Sequence, residues 1–197
     1  MDEVVLRAMR RWPNVPAVYG WLRLDRRGEW LIKNWHGGFE RATHPAIGAF
    51  FGRNYLADDR GRWYVQNGPQ RVFVTLEYTP LVYRLDDRAA GFAAHTGAAA
   101  GALRGLYLDD HNHLLLETDL GIGVIADRDL PAVLDRLTPP AGADLDTALL
   151  AVADGEAIEA SLCGQSMRVA PIRRADVPRR FGFDPQPAPP AGEPDCV

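Results

Sequence analysis

Asp25-Arg26-Arg27-Gly28-Glu29-Trp30, Asp58-Asp59-Arg60-Gly61-Arg62-Trp63 and Asp109-Asp110-His111-Asn112-His113-Leu114 are three versions of one local pattern. In each, an aspartate opens a turn and Gly or Asn falls where the backbone needs a positive φ. Apolar stretches flank every copy, so each reads as a hairpin between two strands. In the third copy Asn112 replaces the glycine and Leu114 the tryptophan. The pattern predicts an α+β protein that is strand-dominated, with antiparallel sheets and repeated helix-hairpin units.

Outward from the first two turns, a helix precedes each hairpin. Val5, Leu6, Met9 and Trp12 recur at helical spacing over 2–12, with Asp2 and Glu3 at the electropositive start and Pro13 and Pro16 beyond the end. Thr43 is expected to cap a second helix whose first turn tolerates Pro45. Residues 34–41 read as a loop. Residues 71–78 alternate cleanly, Val72, Val74, Leu76 and Tyr78 against Arg71, Phe73, Thr75 and Glu77. Residues 89–102 are rich in Ala and Gly and give no pattern. Further strands are expected over 81–85 and 121–126, and a short helix over 127–137 capped by Asp127. Residues 144–154 read as a helix ended by Gly155, followed by a strand pair turning at Gly164-Gln165.

The domain expectation is a repeat-containing core over 1–138, possessing room for two sub-domains. A helix-plus-hairpin unit over 143–183 is expected to pack on it. Residues 184–197 hold five prolines and read as a disordered tail.

The chain has 197 residues, 47% apolar and 24% charged, the composition of a globular protein with a sizeable core. Its net charge of −4 argues against nucleic acid as a partner, since phosphate binding draws on basic charge. No apolar run reaches the roughly 18–20 residues that span a bilayer, so no membrane partner is expected. The acidic opening Met1-Asp2-Glu3 is unlike a secretory or transit peptide, which predicts a cytoplasmic protein. Cys163, in a strand-like run, and Cys196, near the end, give no metal-knuckle spacing and read as reduced thiols.

Catalytic signals are sparse. His111 and His113, beside Asp109 and Asp110, are the nearest approach to a metal set, yet they straddle a turn tip where side chains diverge. His36, His44 and His95 are scattered. Ser161 and Ser166 flank a hairpin rather than a strand-to-helix elbow, and Gly121-Ile122-Gly123 lacks the rest of a dinucleotide fingerprint. No catalytic residue and no cofactor is expected. The densest polar segment is Arg53-Asn54-Tyr55 with Gln66, Asn67, Gln70, Arg71 and Glu77. Buried amides and guanidinium groups need partners, so this set either knits strands together or lines a ligand pocket.

The chain resembles an uncharacterised proteobacterial family of domains of unknown function. The resemblance rests on Trp12-Pro13-Asn14-Val15-Pro16, Gly20-Trp21-Leu22, Leu24-Asp25, Arg27-Gly28, Trp30 and Arg53-Asn54-Tyr55. It continues through Gly61, Trp63, Gln66-Asn67-Gly68-Pro69-Gln70-Arg71-Val72, Leu76-Glu77, Thr79-Pro80, Val177-Pro178 and Arg180-Phe181-Gly182-Phe183. It implies no activity. In layout the chain is also similar to a second uncharacterised bacterial family, one with repeated α/β motifs and a suspected role in signalling or ligand sensing. The leading expectation is a non-catalytic module that binds a small molecule or a protein. A metal-dependent hydrolase using His111 and His113, and a structural protein that forms a homodimer through an exposed strand, are the alternatives.

Overall fold

The computed structural model describes residues 1–13, 15–86 and 91–190. Asn14, the stretch 87–90 and the end 191–197 with Cys196 lie outside the described residues. The chain is α+β and strand-dominated, and its sheets are mixed rather than antiparallel throughout. Two compact units carry them, one formed by 1–80 with 182–197 and the other by 81–181. This division differs from the expected 1–138 and 143–183.

The first unit contains α1 (Glu3–Arg11), β1 (Val18–Leu24), β2 (Trp30–Lys33), β3 (Phe39–Arg41), α2 (Pro45–Arg53), β4 (Tyr55–Ala57), β5 (Trp63–Asn67) and β6 (Gln70–Leu76). Its sheet order is β3-β2-β1-β6-β5-β4. Two antiparallel meanders therefore meet at a parallel pair, β1 with β6, in which Leu22 lies beside Val74 and Leu24 beside Leu76. Alternation marks a strand but not its direction or its neighbour, which is why parallel pairing escaped the sequence. On one face Leu22, Leu24, Trp30, Val65, Val74 and Leu76 are buried. Trp30 anchors this face, its ring edge-on to Phe51 of α2 and to Tyr55.

The hairpin turns share one hydrogen-bond pattern. Asp25 O accepts from Gly28 N–H, and its N–H donates to Glu29 O; Asp58 does the same with Gly61 and Arg62, and Asp109 with Asn112 and His113. One carboxylate oxygen of each aspartate also accepts two backbone N–H groups, those of the residues two and four positions on. The left-handed residue is Gly28 (φ 79°), Gly61 (φ 72°) or Asn112 (φ 62°), a type I turn followed by a bulge. Asn34 builds the same turn with Gly37 and Gly38. The stretch 34–41 is thus a turn and a strand, not the expected loop. The second helix is capped by His44, whose Nδ1 accepts from Ala46 N–H at 3.2 Å, in place of Thr43.

The second unit contains β7 (Leu81–Asp86), β8 (Gly91–Ala94), β9 (Leu103–Asp109), β10 (Leu114–Thr118), β11 (Gly121–Ile125), α3 (Leu130–Leu134), β12 (Leu137–Thr138), α4 (Leu145–Ala153), β13 (Ile158–Leu162), β14 (Gln165–Ile172) and α5 (Val177–Phe181). The sheet runs β12-β13-β14-β9-β10-β11-β7-β8. Pairing is parallel between β14 and β9 and between β11 and β7. Residues 143–181 are therefore part of this sheet and not a separate unit beside it. Asp144 caps α4 by accepting from Thr147 N–H, and Gly155 follows its end at φ 108°. The β13–β14 turn is Cys163-Gly164, both left-handed at φ 51° and 76°, one residue earlier than expected. Cys163 is thus a turn residue, outside the strands.

The expected disordered tail is engaged at its start. Asp184 N–H donates to Gly61 O, Leu76 N–H donates to Pro185 O, and Pro187 is buried. Gly61 has to be glycine here, because a Cβ on it would lie 2.0 Å from Gly182 O.

Candidate functional site

The polar segment singled out from the sequence lies in the first unit, and its side chains are spent on that unit's own structure. Arg53 forms a two-pronged pair with Asp2, at 3.0 and 3.1 Å, which holds the Asp2 carboxyl below the usual range. Asn54 is fully buried; its Oδ1 accepts from Asp2 N–H at 2.8 Å and its Nδ2 donates to Phe50 O at 2.9 Å. The Tyr55 hydroxyl donates to Pro80 O at 3.0 Å, and burial pushes its pKa well up. Gln66, 1% exposed, donates to Gly68 O, while its Oε1 has no hydrogen-bond partner among the described residues. Gln70 donates to Pro16 O, Arg71 lies over the Tyr64 ring at 4.8 Å, and Glu77 pairs with Arg26 at 3.2 Å. Asn67 is exposed. These contacts tie α1, α2 and the tight turns to the sheet.

The hairpin tip of the second unit brings His111 and His113 together, with ring centroids 6.4 Å apart. Asp109, Asp110 and His111 each offer a ligand atom within 4.8 Å of the others. Their atoms are already committed. Asp109 is buried, accepts the turn's N–H groups and meets His113 Nδ1 at 3.0 Å. Asp110 Oδ1 accepts from Arg174 N–H at 2.8 Å, the main cause of its lowered pKa, and also meets His111 Nδ1. Of the carboxylates a cation would take, Asp109 builds the turn and Asp110 holds the Arg174 backbone.

A different feature dominates the second unit. Along β9 and β14 a groove of about 980 Å³ is lined by Arg104, Arg168, Arg173, Arg179 and Arg180, with Tyr107 and Asp176 among its other walls. Its geometry follows from strand register. Parallel pairing sets Ala170 beside Tyr107, so both side chains leave the sheet on the same face, along with Arg168, Ile172 and Gly105 two positions on either side. Between β9 and β10 the register jumps, Gly105 facing Glu117 and Leu103 facing Thr118, which leaves Arg104 as an extra, bulged residue. A bulge turns a side chain toward the face it would otherwise avoid, which is how Arg104 reaches the groove.

Other residues hold the groove's arginines. Asp119 Oδ1 accepts from Arg104 Nε at 2.9 Å. Asp176 accepts from Arg179 at 3.0 Å. Arg180 lies over the Tyr107 ring at 5.4 Å and over the Phe181 ring at 5.6 Å, and the nearby Tyr107 hydroxyl raises its pKa. The Tyr107 ring lies against Gly105, where a Cβ would come within 3.3 Å of the hydroxyl, and the hydroxyl donates to Glu117 at 2.8 Å. Burial, with Glu117 adding to it, pushes the Tyr107 pKa up, so it stays a neutral donor. Among the described residues Arg168 and Arg173 form no ion pair; both are exposed.

No residue of this groove was singled out from the sequence as a site, Arg180 being named only as a family marker and Gly155 only as a helix end. Its arginines are spread from 104 to 180 with no shared motif, and the one usable signal was Arg168, Arg173, Arg174, Arg179 and Arg180 recurring within thirteen positions.

Comparison with curated proteins found no match. Among solved structures the chain is similar to a DUF1285 family protein from Silicibacter pomeroyi DSS-3, with 15% identity, 72% of this chain and 88% of that one covered, and a TM-score of 0.44. It is also similar to a DUF1285 family protein from Shewanella baltica OS155, with 15% identity, 58% and 91% covered, and a TM-score of 0.41. The profile of the family DUF2944, described as "Protein of unknown function (DUF2946)", matches residues 1–188, and the chain belongs to that family.

Proposed function

We propose that the protein is a non-catalytic binding module that takes an anionic ligand in the arginine-lined groove of its second unit. The observation that carries this reading is the convergence of five arginines on one groove of about 980 Å³. Planar guanidinium groups match carboxylate and phosphate oxygens in pairs. The arginines paired with Asp119, Asp176 and Tyr107 are pre-positioned, which lowers the ordering cost of binding. The two lining groups with acid–base chemistry, Asp176 and Tyr107, are engaged by Arg179 and Glu117, which supports a binding role.

The test is a thermal-shift titration at low salt with inorganic pyrophosphate, a compact polyanion. At ~100 times its dissociation constant it adds about 2.7 kcal/mol to stability. The shift is expected in the unmodified protein and lost in Arg168→Glu/Arg173→Glu. An equal shift in both proteins, or none in either, overturns the reading.

A further inference from the structure

Resting on that reading of the groove, we infer that its ligand is an acidic peptide segment bound in extended conformation. The basic groups are not spread evenly. Arg168 and Arg104 sit at one end, because register sets Arg168 beside Gly105, next to the bulged Arg104. Arg173 lies toward the other end, just past the end of β14 at Ile172, and Arg179 is a further lining residue. At about 3.3 Å per residue, Arg168 and Arg173 are roughly 16 Å apart. A compact anion reaches one end only. A chain in β conformation spans both, and acidic side chains about four or six residues apart, an even offset, leave it on the same face.

The floor between the ends suits a backbone. Ala157 and Ala170 present little bulk, and Ile172 adds an apolar contact. Small side chains let a peptide backbone approach the sheet closely. The aromatic residues argue against single-stranded nucleic acid, whose bases need open ring faces to stack on. Here the Tyr107 and Phe181 rings meet each other at 5.3 Å and Arg180 already lies over both.

Fluorescence anisotropy with labelled probes tests this. One peptide carries two pairs of glutamates about six residues apart; a second has the same composition with its glutamates contiguous; a short oligothymidylate is the third probe. The spaced peptide is expected to bind about tenfold more tightly than the contiguous one, a difference of about 1.4 kcal/mol. Arg168→Glu and Arg173→Glu should each weaken it about tenfold or more, with far-UV circular dichroism unchanged because both side chains are exposed. Equal binding of the two peptides, or tighter binding of the oligonucleotide, overturns the inference. Pyrophosphate is the internal control. If it binds through Arg168 while the peptides do not, the peptide falls and the anion groove stands; if neither binds, both fall.

Discussion

Arg104 Nε donates to Asp119 Oδ1 at 2.9 Å, and the other oxygen of that carboxylate accepts from Ala102 N–H at 2.9 Å. One side chain thus fixes both the bulge and the direction of its arginine. The Ala102 bond and then the Arg104 pair hold the Asp119 carboxyl below its usual range. Gly101 leaves room for this, since a Cβ there would lie 2.7 Å from Asp119 Oδ2.

Asp119→Ala should therefore weaken pyrophosphate binding about three- to tenfold, because Arg104 is released from its aim. Stability should change little, since the pair is exposed. Titration calorimetry beside urea unfolding separates the two. A large loss of stability with unchanged affinity would assign Asp119 a purely structural role.

The aspartates of the hairpin turns should differ in cost according to burial. Asp109→Ala removes a buried carboxylate that accepts from the part-buried N–H groups of His111 and His113 and should lose about 1–3 kcal/mol. Asn34→Ala, at an exposed tip, should lose under about 1 kcal/mol. Asn112→Gly should gain about 0.5–1 kcal/mol by relieving the left-handed backbone of Asn112. Urea unfolding measures all three, and equal losses at Asp109 and Asn34 would refute the burial argument.

His95 gives the second unit a pH dependence. Burial, with the Arg84 charge adding to it, pulls its pKa down to about 3, and its Nδ1 accepts from Val82 N–H. The folded state keeps the imidazole neutral while the unfolded chain takes up a proton below pH 6.5. Stability from this group is therefore complete above about pH 6.5 and is lost as pH falls toward 3. The ceiling is about 5 kcal/mol, lowered by the partial exposure of the residue. His95→Gln should flatten the stability curve between pH 4 and 6.5; an unchanged slope would show that other groups set it.

Arg53→Ala and Arg71→Ala should leave pyrophosphate affinity unchanged, because their partners are Asp2 and the Tyr64 ring of the first unit. Each should cost little stability, both side chains being largely exposed to solvent screening. Loss of binding in either variant would return attention to the polar segment first picked out from the sequence.

Local structure was legible wherever it is decided by neighbours in the chain. Asp25, Asp58 and Asp109 announce their turns because an aspartate bonds N–H groups two and four residues ahead, with Gly28, Gly61 and Asn112 supplying the left-handed step. The fourth such turn was missed since Asn34 does the same work under another letter. The strand alternation of 71–78 was equally plain. What the sequence could not disclose is which strands meet. The parallel pairing of β14 with β9 joins residues some sixty positions apart and sets Tyr107 beside Ala170, while the register jump between β9 and β10 leaves Arg104 over as a bulge. Alternation is the same for every partner and direction, so it carries no trace of that choice. The sequence by itself determined the three aspartate turns, most of the strands and a sizeable apolar core. Only the tertiary structure decided that Arg53 to Glu77 would be consumed in holding one unit together, while arginines scattered from 104 to 180 converge on a groove.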